Sequence, residues 1–101
     1  MPTYVLMTKL SPDLLDPPTR RRVGWKWKKA VEKACPGLKW VAHYALLGPY
    51  DFMDIYEAEG EDVAAKVALI TQANGALKAE SWTAMPYSRY LEIAKEIGAV
   101  E

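Results

Sequence analysis

Apolar and polar positions alternate through residues 38–58, and this pattern predicts a β-hairpin. Residues 38–47 and 51–58 are the two strands, because aromatic and β-branched residues alternate there with polar ones. Gly48, Pro49 and Tyr50 separate them and are typical turn residues. The two strands are therefore predicted to be antiparallel neighbours in one sheet.

The other periodic segments predict two more strands and three helices. Residues 3–10 and 77–85 favour strands, because they combine β-branched and aromatic residues and end near proline. A first helix begins near Pro17, with Asp16 as its cap, and ends at 35–37. A second helix begins at 60–62 and ends at 74–75, and a third spans 87–97.

The predicted order is β-α-β-β-α-β followed by a C-terminal helix. That order is the split βαβ pattern of ferredoxin-like folds, an α+β class with an antiparallel sheet. Because each crossover is right-handed, both crossover helices lie on one face of the sheet, and the other face stays bare. Residues 1–101 are predicted to form a single domain in which 87–101 is a C-terminal helical extension.

The register of the hairpin decides which side chains share a face. A three-residue connection places Ala45 opposite Met53, whereas a four-residue connection shifts the pairing by one residue and brings His43, Asp54 and Tyr56 together. We favour the shorter connection, because it leaves the helix-covered face most apolar and avoids burying an unpaired charge. The bare face is then predicted to hold an aromatic set: Trp40, Ala42, Tyr44, Leu46, Phe52, Asp54 and Tyr56.

A bare face of this kind predicts self-association, because large exposed apolar patches usually mark a binding surface. A second copy that covers it would form a closed dimeric α/β barrel lined by the aromatic set. We therefore expect a homodimer or a higher homo-oligomer.

Charge and cysteine content limit the binding partners and the cellular compartment that we expect. The 13 basic residues balance the 13 acidic ones, so no overall attraction to nucleic acid or to an anionic membrane is expected. Cys35 is the sole cysteine, which excludes an intrachain disulfide and favours a reducing compartment. No apolar run approaches the length of a membrane span. The sequence predicts a soluble, cytoplasmic protein.

The hairpin also carries a family resemblance. The run Tyr44-Ala45-Leu46-Leu47-Gly48-Pro49-Tyr50-Asp51-Phe52-Met53-Asp54-Ile55 resembles the turn that gives the GYD domain family its name. Residues 2–10 and the last strand through Trp82 are also similar to family members. The resemblance implies a ferredoxin-like subunit of the dimeric α/β-barrel group, and the family has no settled activity. The basic, tryptophan-containing segment 25–29 departs from the family pattern.

Asp54 is the leading candidate for chemistry. A carboxylate among Tyr44, Phe52 and Tyr56 would be desolvated, which suits a general base or an anchor for a bound ligand. The alternative is a structural hydrogen bond to a tyrosine or across a dimer.

Other candidates are weaker. Tyr50 lines the mouth of a ligand pocket or packs on its own subunit, and Trp82 closes the edge of the pocket or is a core or interface side chain. Asp51, next to the turn, either binds ligand or caps backbone amides. His43 is the sole histidine, so a multi-histidine metal site cannot form within one chain, and we predict no metal. Its alternatives are an acid–base group, a haem ligand, or a structural histidine beneath a helix.

The sequence therefore predicts a protein that binds a small organic molecule in an aromatic pocket of a homo-oligomeric barrel. The ligand-binding set is Tyr44, Tyr50, Asp51, Phe52, Asp54, Tyr56 and Trp82. The alternatives are a cofactor-free monooxygenase- or isomerase-like enzyme that uses Asp54, a structural oligomer, and a weak nucleic-acid binder that acts through the basic first helix. The sequence names no cofactor.

Overall fold

The computed structural model describes residues 1–14 and 16–99, and its elements follow the predicted order. The strands and α-helices are β1 (Thr3–Leu10), α1 (Pro17–Ala34), β2 (Lys39–Ala45), β3 (Phe52–Glu57), α2 (Glu61–Ala73), β4 (Ala76–Ala84) and α3 (Tyr87–Glu96). A short 3₁₀ turn, Pro12–Leu14, precedes α1. The ferredoxin-like α+β arrangement is confirmed. Residues 100 and 101 of the predicted C-terminal extension lie outside the described residues.

Local chemistry explains where the helices begin and end. The Asp16 carboxylate accepts the backbone N–H of Thr19 at 3.1 Å, so it caps α1 as predicted. Pro17 and Pro18 occupy the first turn, where no N–H is needed. After α2, Gly75 has a φ of 99°, a conformation that glycine adopts without strain.

The sheet is antiparallel and its strand order is β2-β3-β1-β4. Its inner face packs against α1 and α2. The core between these layers consists of Tyr4, Leu6, Val31, Cys35, Tyr56, Ala58, Ala64 and Val67. Trp27, Leu38, Trp40, Val63, Ile70 and Ala79 pack against it while remaining partly exposed.

The favoured hairpin register is wrong. His43 pairs with Asp54 and Ala45 pairs with Phe52, while the Leu46 N–H donates to the Asp51 carbonyl at 2.9 Å. Residues 47–50 therefore form a four-residue connection, which was the alternative. Farther along, an irregularity between Trp40 and Ala42 moves Trp40 opposite Tyr56.

Because of this register, the side chains of β3 lie on the opposite faces of the sheet from those predicted. Asp54 and Tyr56 lie on the helix-covered face, where Asp54 is 3% exposed and Tyr56 is fully buried. The prediction failed because it treated the carboxylate as an unpaired charge. Asp54 is instead paired with His43, which lowers the energetic cost of burying it.

We call the opposite side of the sheet the outward face. By register it presents Val5, Met7, Tyr44, Met53, Ile55, Glu80 and Trp82. Neither α1 nor α2 covers it, and Tyr44 and Trp82 are 53% and 48% exposed. The bare face predicted from the sequence is therefore present, but it is largely aliphatic.

Helix α3 contributes no side chain to the core cluster. Its Tyr87 and Tyr90, and Ile97 directly after it, are exposed. The radius of gyration is 15.7 Å, whereas a compact chain of this length has about 13 Å. Among the described residues, no helix is long and apolar enough to cross a membrane.

Candidate functional site

A cleft opens between α1 and one end of the sheet, and we call it the helix-side cleft. Near its middle α1 contacts the sheet: the Trp27 and Trp40 rings lie 5.4 Å apart, and Val31 is fully buried. The N-terminal half of α1 is one wall of a space of about 570 Å³. The lining residues are Thr8, Leu10, Arg20, Arg21, Val23, Gly24, Trp25, Trp27, Lys28, Trp40, Val41, Ala42, His43, Phe52, Asp54, Thr71, Asn74 and Ala76.

The antiparallel sheet brings these residues together. β1 ends at Leu10, where β3 begins at Phe52 and β4 begins at Ala76. The last turn of α2 adds Thr71 and Asn74 at the same end. The cleft is therefore built from all four strands and both crossover helices, although its residues are scattered through the sequence.

Aromatic side chains line much of the cleft. The Trp27 indole N–H donates to the Thr71 hydroxyl at 2.9 Å, and that hydroxyl donates to the Val67 carbonyl at 2.6 Å. The indole N–H of Trp40 is shielded from solvent and has no hydrogen-bond acceptor within the described part of the chain. A buried N–H without a partner is uncommon in folded proteins.

His43 and Asp54 form a hydrogen-bonded pair on the sheet side of the cleft. The Nδ1 atom of His43 contacts the Oδ1 atom of Asp54 directly. The Asp54 side chain is almost fully buried, whereas 60% of the His43 side chain is exposed. The His43 ring stacks on Phe52 with centroids 5.4 Å apart. The pair thus joins a hidden carboxylate to an accessible imidazole.

Burial raises the pKa of the Asp54 carboxyl, and the charge and hydrogen bond of His43 oppose that rise. With the raised pKa, the native protein holds this proton to higher pH than the unfolded chain does. The free energy of unfolding therefore decreases as the pH increases from the ordinary carboxyl pKa of 3.8 through the raised pKa of Asp54.

Replacing Asp54 with asparagine is expected to remove that loss of stability. The comparison is made in a His43→Gln background, so that no imidazole lies beside the Asp54 carboxyl. Urea unfolding between about pH 4 and about pH 8 should show a smaller decline in unfolding free energy for the double variant than for His43→Gln alone. Equal declines would contradict the burial of an ionisable Asp54.

Cationic side chains border the cleft on the α1 side. Arg20, Arg21 and Lys28 line it, and Arg20 also lies 3.8 Å from the Asp51 carboxylate. Asp54 is the one carboxylate among the described lining residues. The local charge therefore favours an anion, even though the whole chain is neutral.

Asp51 forms hydrogen bonds with the backbone of β1. Its carboxylate accepts the Leu10 N–H at 2.7 Å, and its own N–H donates to the Thr8 carbonyl at 2.8 Å. Lys9 lies 4.0 Å from the same carboxylate. Asp51 thus ties the hairpin turn to the end of β1, as in the amide-capping alternative, and its ligand role remains a prediction.

The remaining predicted residues lie apart from the cleft. Tyr44 and Trp82 are on the outward face, and the Tyr50 hydroxyl donates to Glu80 there. This hydrogen bond raises the pKa of Tyr50 and lowers that of Glu80. The structure brings together Asp54 and Phe52 of the predicted set, while Tyr56 lies beneath them in the core.

Several cleft residues were missed from the sequence. Trp27, Thr71 and Gly24 come from the two crossover helices, neither of which was predicted to line a small-molecule pocket. The pairing of His43 with Asp54 could have been found, because the four-residue connection places them side by side. Within the described residues, no group of three or more His, Cys, Asp or Glu side chains could hold a metal ion.

Comparisons with known proteins agree with this fold. A family model described as the GYD domain matches residues 4–94. The chain is 32% identical over 90 residues to a Thermus thermophilus protein named "Glutamine synthetase and cystathionine beta-lyase binding protein", and the match covers 85% of this chain and 90% of that protein.

Solved structures also resemble the chain at low sequence identity. FFRP-DM1 has a TM-score of 0.56 at 16% identity, covering 84% of this chain and 100% of its own. TTHA0845 from Thermus thermophilus has a TM-score of 0.54 at 17% identity, with 85% and 95% covered. At3g17210 from Arabidopsis thaliana has a TM-score of 0.52 at 10% identity, with 85% and 95% covered. These likenesses concern the fold alone.

Proposed function

This chain belongs to the GYD domain family, and we propose that it binds a small organic molecule in the helix-side cleft. The observation that carries the proposal is a space of about 570 Å³ between α1 and the sheet, lined by aromatic side chains and by the accessible His43 imidazole paired with the buried Asp54 carboxyl. Ligand pockets commonly measure about 300–1,000 Å³ and combine apolar walls with a few placed polar groups. The accessible imidazole of His43 supplies one such group.

Filling the cleft at Gly24 is expected to block binding. Gly24 lines the cleft from the middle of α1, and a Cβ built there meets no atom within 4 Å. Because the backbone leaves room for a side chain there, a Gly24→Phe ring is expected to extend into ligand space. The probe is 1-anilinonaphthalene-8-sulfonate, an aromatic anion whose fluorescence rises in apolar sites. We expect its affinity to fall by about tenfold or more, which corresponds to about 1.4 kcal/mol.

Gly24→Ala is the matched control. It adds one methyl group, so binding should persist, and stability should rise by about 0.5–1 kcal/mol because alanine replaces a helical glycine. Equal dye affinity in wild type and Gly24→Phe would place the bound dye elsewhere and reject the proposal.

We also propose that the outward face is covered by a second copy. Val5, Met53 and Ile55 form a partly exposed apolar strip between Tyr44 and Trp82, and Met7 within it is 8% exposed. Exposed apolar side chains that are contiguous on one face associate with other apolar surfaces in water. Tyr44 and Trp82, which the sequence predicted as ligand residues, are proposed here as interface residues because they lie opposite the cleft.

A second candidate function is binding to other proteins. The Thermus relative is named for binding glutamine synthetase and cystathionine beta-lyase. This chain offers a basic surface on α1, formed by Arg22, Lys26, Lys29 and Lys33. Co-elution with each purified enzyme in gel filtration, lost in a Lys26→Glu/Lys29→Glu variant, would support this function. Separate elution from both enzymes would remove it.

The domain organisation and the cellular compartment are also proposals. We propose that residues 1–101 act as one domain in the cytoplasm. Cys35, the sole cysteine, is buried, and burial raises the pKa of its thiol. A protonated, buried thiol without a disulfide partner suits a reducing compartment.

A further inference from the structure

We propose that His43 is a general base that removes a proton from an anionic organic substrate in the helix-side cleft, with Asp54 as its positioning residue. This inference rests on the proposed function, because it assigns chemistry to the same cleft. The sequence pointed to Asp54 as the proton acceptor. The structure moves that role to His43, because the carboxylate is buried and the imidazole is accessible.

The pair has the arrangement of an oriented base. An ionised carboxylate only accepts hydrogen bonds, so its contact with Nδ1 places the proton on that nitrogen and leaves the lone pair on Nε2. Stacking on Phe52 restricts rotation of the ring. His43 therefore enters the cleft lining in one tautomer, with Nε2 as the nitrogen left to act on a ligand.

Charge and shape indicate the substrate class. Arg21 and Lys28 line the cleft beside Arg20, and these cations would attract an anion. The tryptophans Trp27 and Trp40 provide flat apolar surface for a planar or cyclic body. The substrate class that fits is an organic anion with a planar apolar body and an acidic C–H bond next to a carbonyl group.

The step itself is a balanced proton transfer. The substrate C–H bond breaks, its proton forms an N–H bond at Nε2 of His43, and the electron pair moves onto the carbonyl oxygen as an enolate. The cations of α1 would stabilise that negative charge. Return of the proton from His43 to a different substrate atom gives an isomer, so no oxidant, reductant or co-reactant is needed.

The test uses 5-nitrobenzisoxazole, a neutral planar carbon acid that probes proton removal by His43 separately from recognition of an anion. Its ring opens to a coloured nitrophenolate once a base removes its C–H proton. We expect saturable turnover by the wild type. His43→Gln should lower kcat/KM by about 100-fold, the usual scale of general-base catalysis. The anilinonaphthalene sulfonate should inhibit the wild type, because both molecules occupy the same cleft.

A rescue experiment separates the positioning role of Asp54 from a merely structural one. In a His43→Gly variant, added imidazole should restore turnover while Asp54 remains. In His43→Gly/Asp54→Asn the rescue should fall by about tenfold or more. Thermal unfolding by circular dichroism verifies that each variant is folded, and a Leu69→Ala change on the exposed side of α2 serves as an unrelated control.

Each outcome has a definite meaning. Dye binding with no elimination by the wild type, or with full elimination by folded His43→Gln, would overturn the role of His43 and leave the binding cleft standing. Rescue that is equal with and without Asp54 would overturn the positioning role. Absence of dye binding would overturn the proposed function and this inference together.

Discussion

Replacing Tyr56 with alanine is expected to destabilise the protein by about 3–5 kcal/mol, the usual range for deleting a buried aromatic side chain. Tyr56 is fully buried at the centre of the core. Its ring stacks on Tyr4 at 5.6 Å and meets the edge of Trp40 at 5.9 Å. Since small domains have about 5–15 kcal/mol of total stability, this one change would remove a large part of it.

Tyr44→Ala is the matched control, because the sequence assigned Tyr44 and Tyr56 to the same face. Tyr44 lies on the outward face and is about half exposed, so under conditions where the chain is monomeric its loss should cost less than about 1 kcal/mol. Urea unfolding of both variants measures the difference. Similar losses for the two would contradict the hairpin register described above.

Replacing Ile55 with glutamate is expected to separate the proposed homo-oligomer into monomers. Ile55 lies on the outward face, where its neighbours are Val5 on β1 and Ala42 on β2. In a symmetric pair each copy would bring a glutamate into an apolar contact, and burying an unpaired charge costs several kcal/mol. We expect the dissociation constant to rise by at least about 100-fold, or about 2.7 kcal/mol.

Native mass spectrometry together with light scattering reports the subunit number. The wild type should give a multiple of the chain mass, and Ile55→Glu should give the chain mass. Leu69→Glu is the control, because Leu69 is 64% exposed on α2, away from the outward face. A monomeric wild type at micromolar concentration would contradict the proposed interface.

The elements of the fold could be predicted because their signals are local. Asp16 caps the helix that follows it, and Asn74 and Gly75 end the second helix as their chemistry requires. Alternation along 38–58 was sufficient to identify a hairpin. The β-α-β-β-α-β order then implied the sheet and its bare side, without knowledge of any tertiary contact.

The face of each hairpin residue could not be predicted in the same way. It depends on an irregularity near Val41 and on whether a buried carboxylate finds a partner. Both are tertiary facts, since the partner of the buried Asp54 carboxyl is His43 on the neighbouring strand. A rule that keeps unpaired charges out of the core therefore selected the wrong register.

The cleft was missed for a related reason. Helical spacing places Trp27 on the packing side of α1, but the sequence does not show that this helix contacts the sheet near its middle and leaves the strands open near Gly24. The angle between a helix and a sheet is set by the packing of large side chains, here Trp27 against Trp40. The helical periodicity of the sequence does not determine that angle.

The most direct test of ligand binding in the helix-side cleft is a ¹H–¹⁵N spectrum that follows the tryptophan indole signals during titration with the anilinonaphthalene sulfonate. Trp27 and Trp40 line the cleft, whereas Trp82 lies on the outward face. The account predicts that the Trp27 and Trp40 signals shift together with one affinity while the Trp82 signal stays in place. A shift of Trp82 with Trp27 and Trp40 unmoved would contradict it.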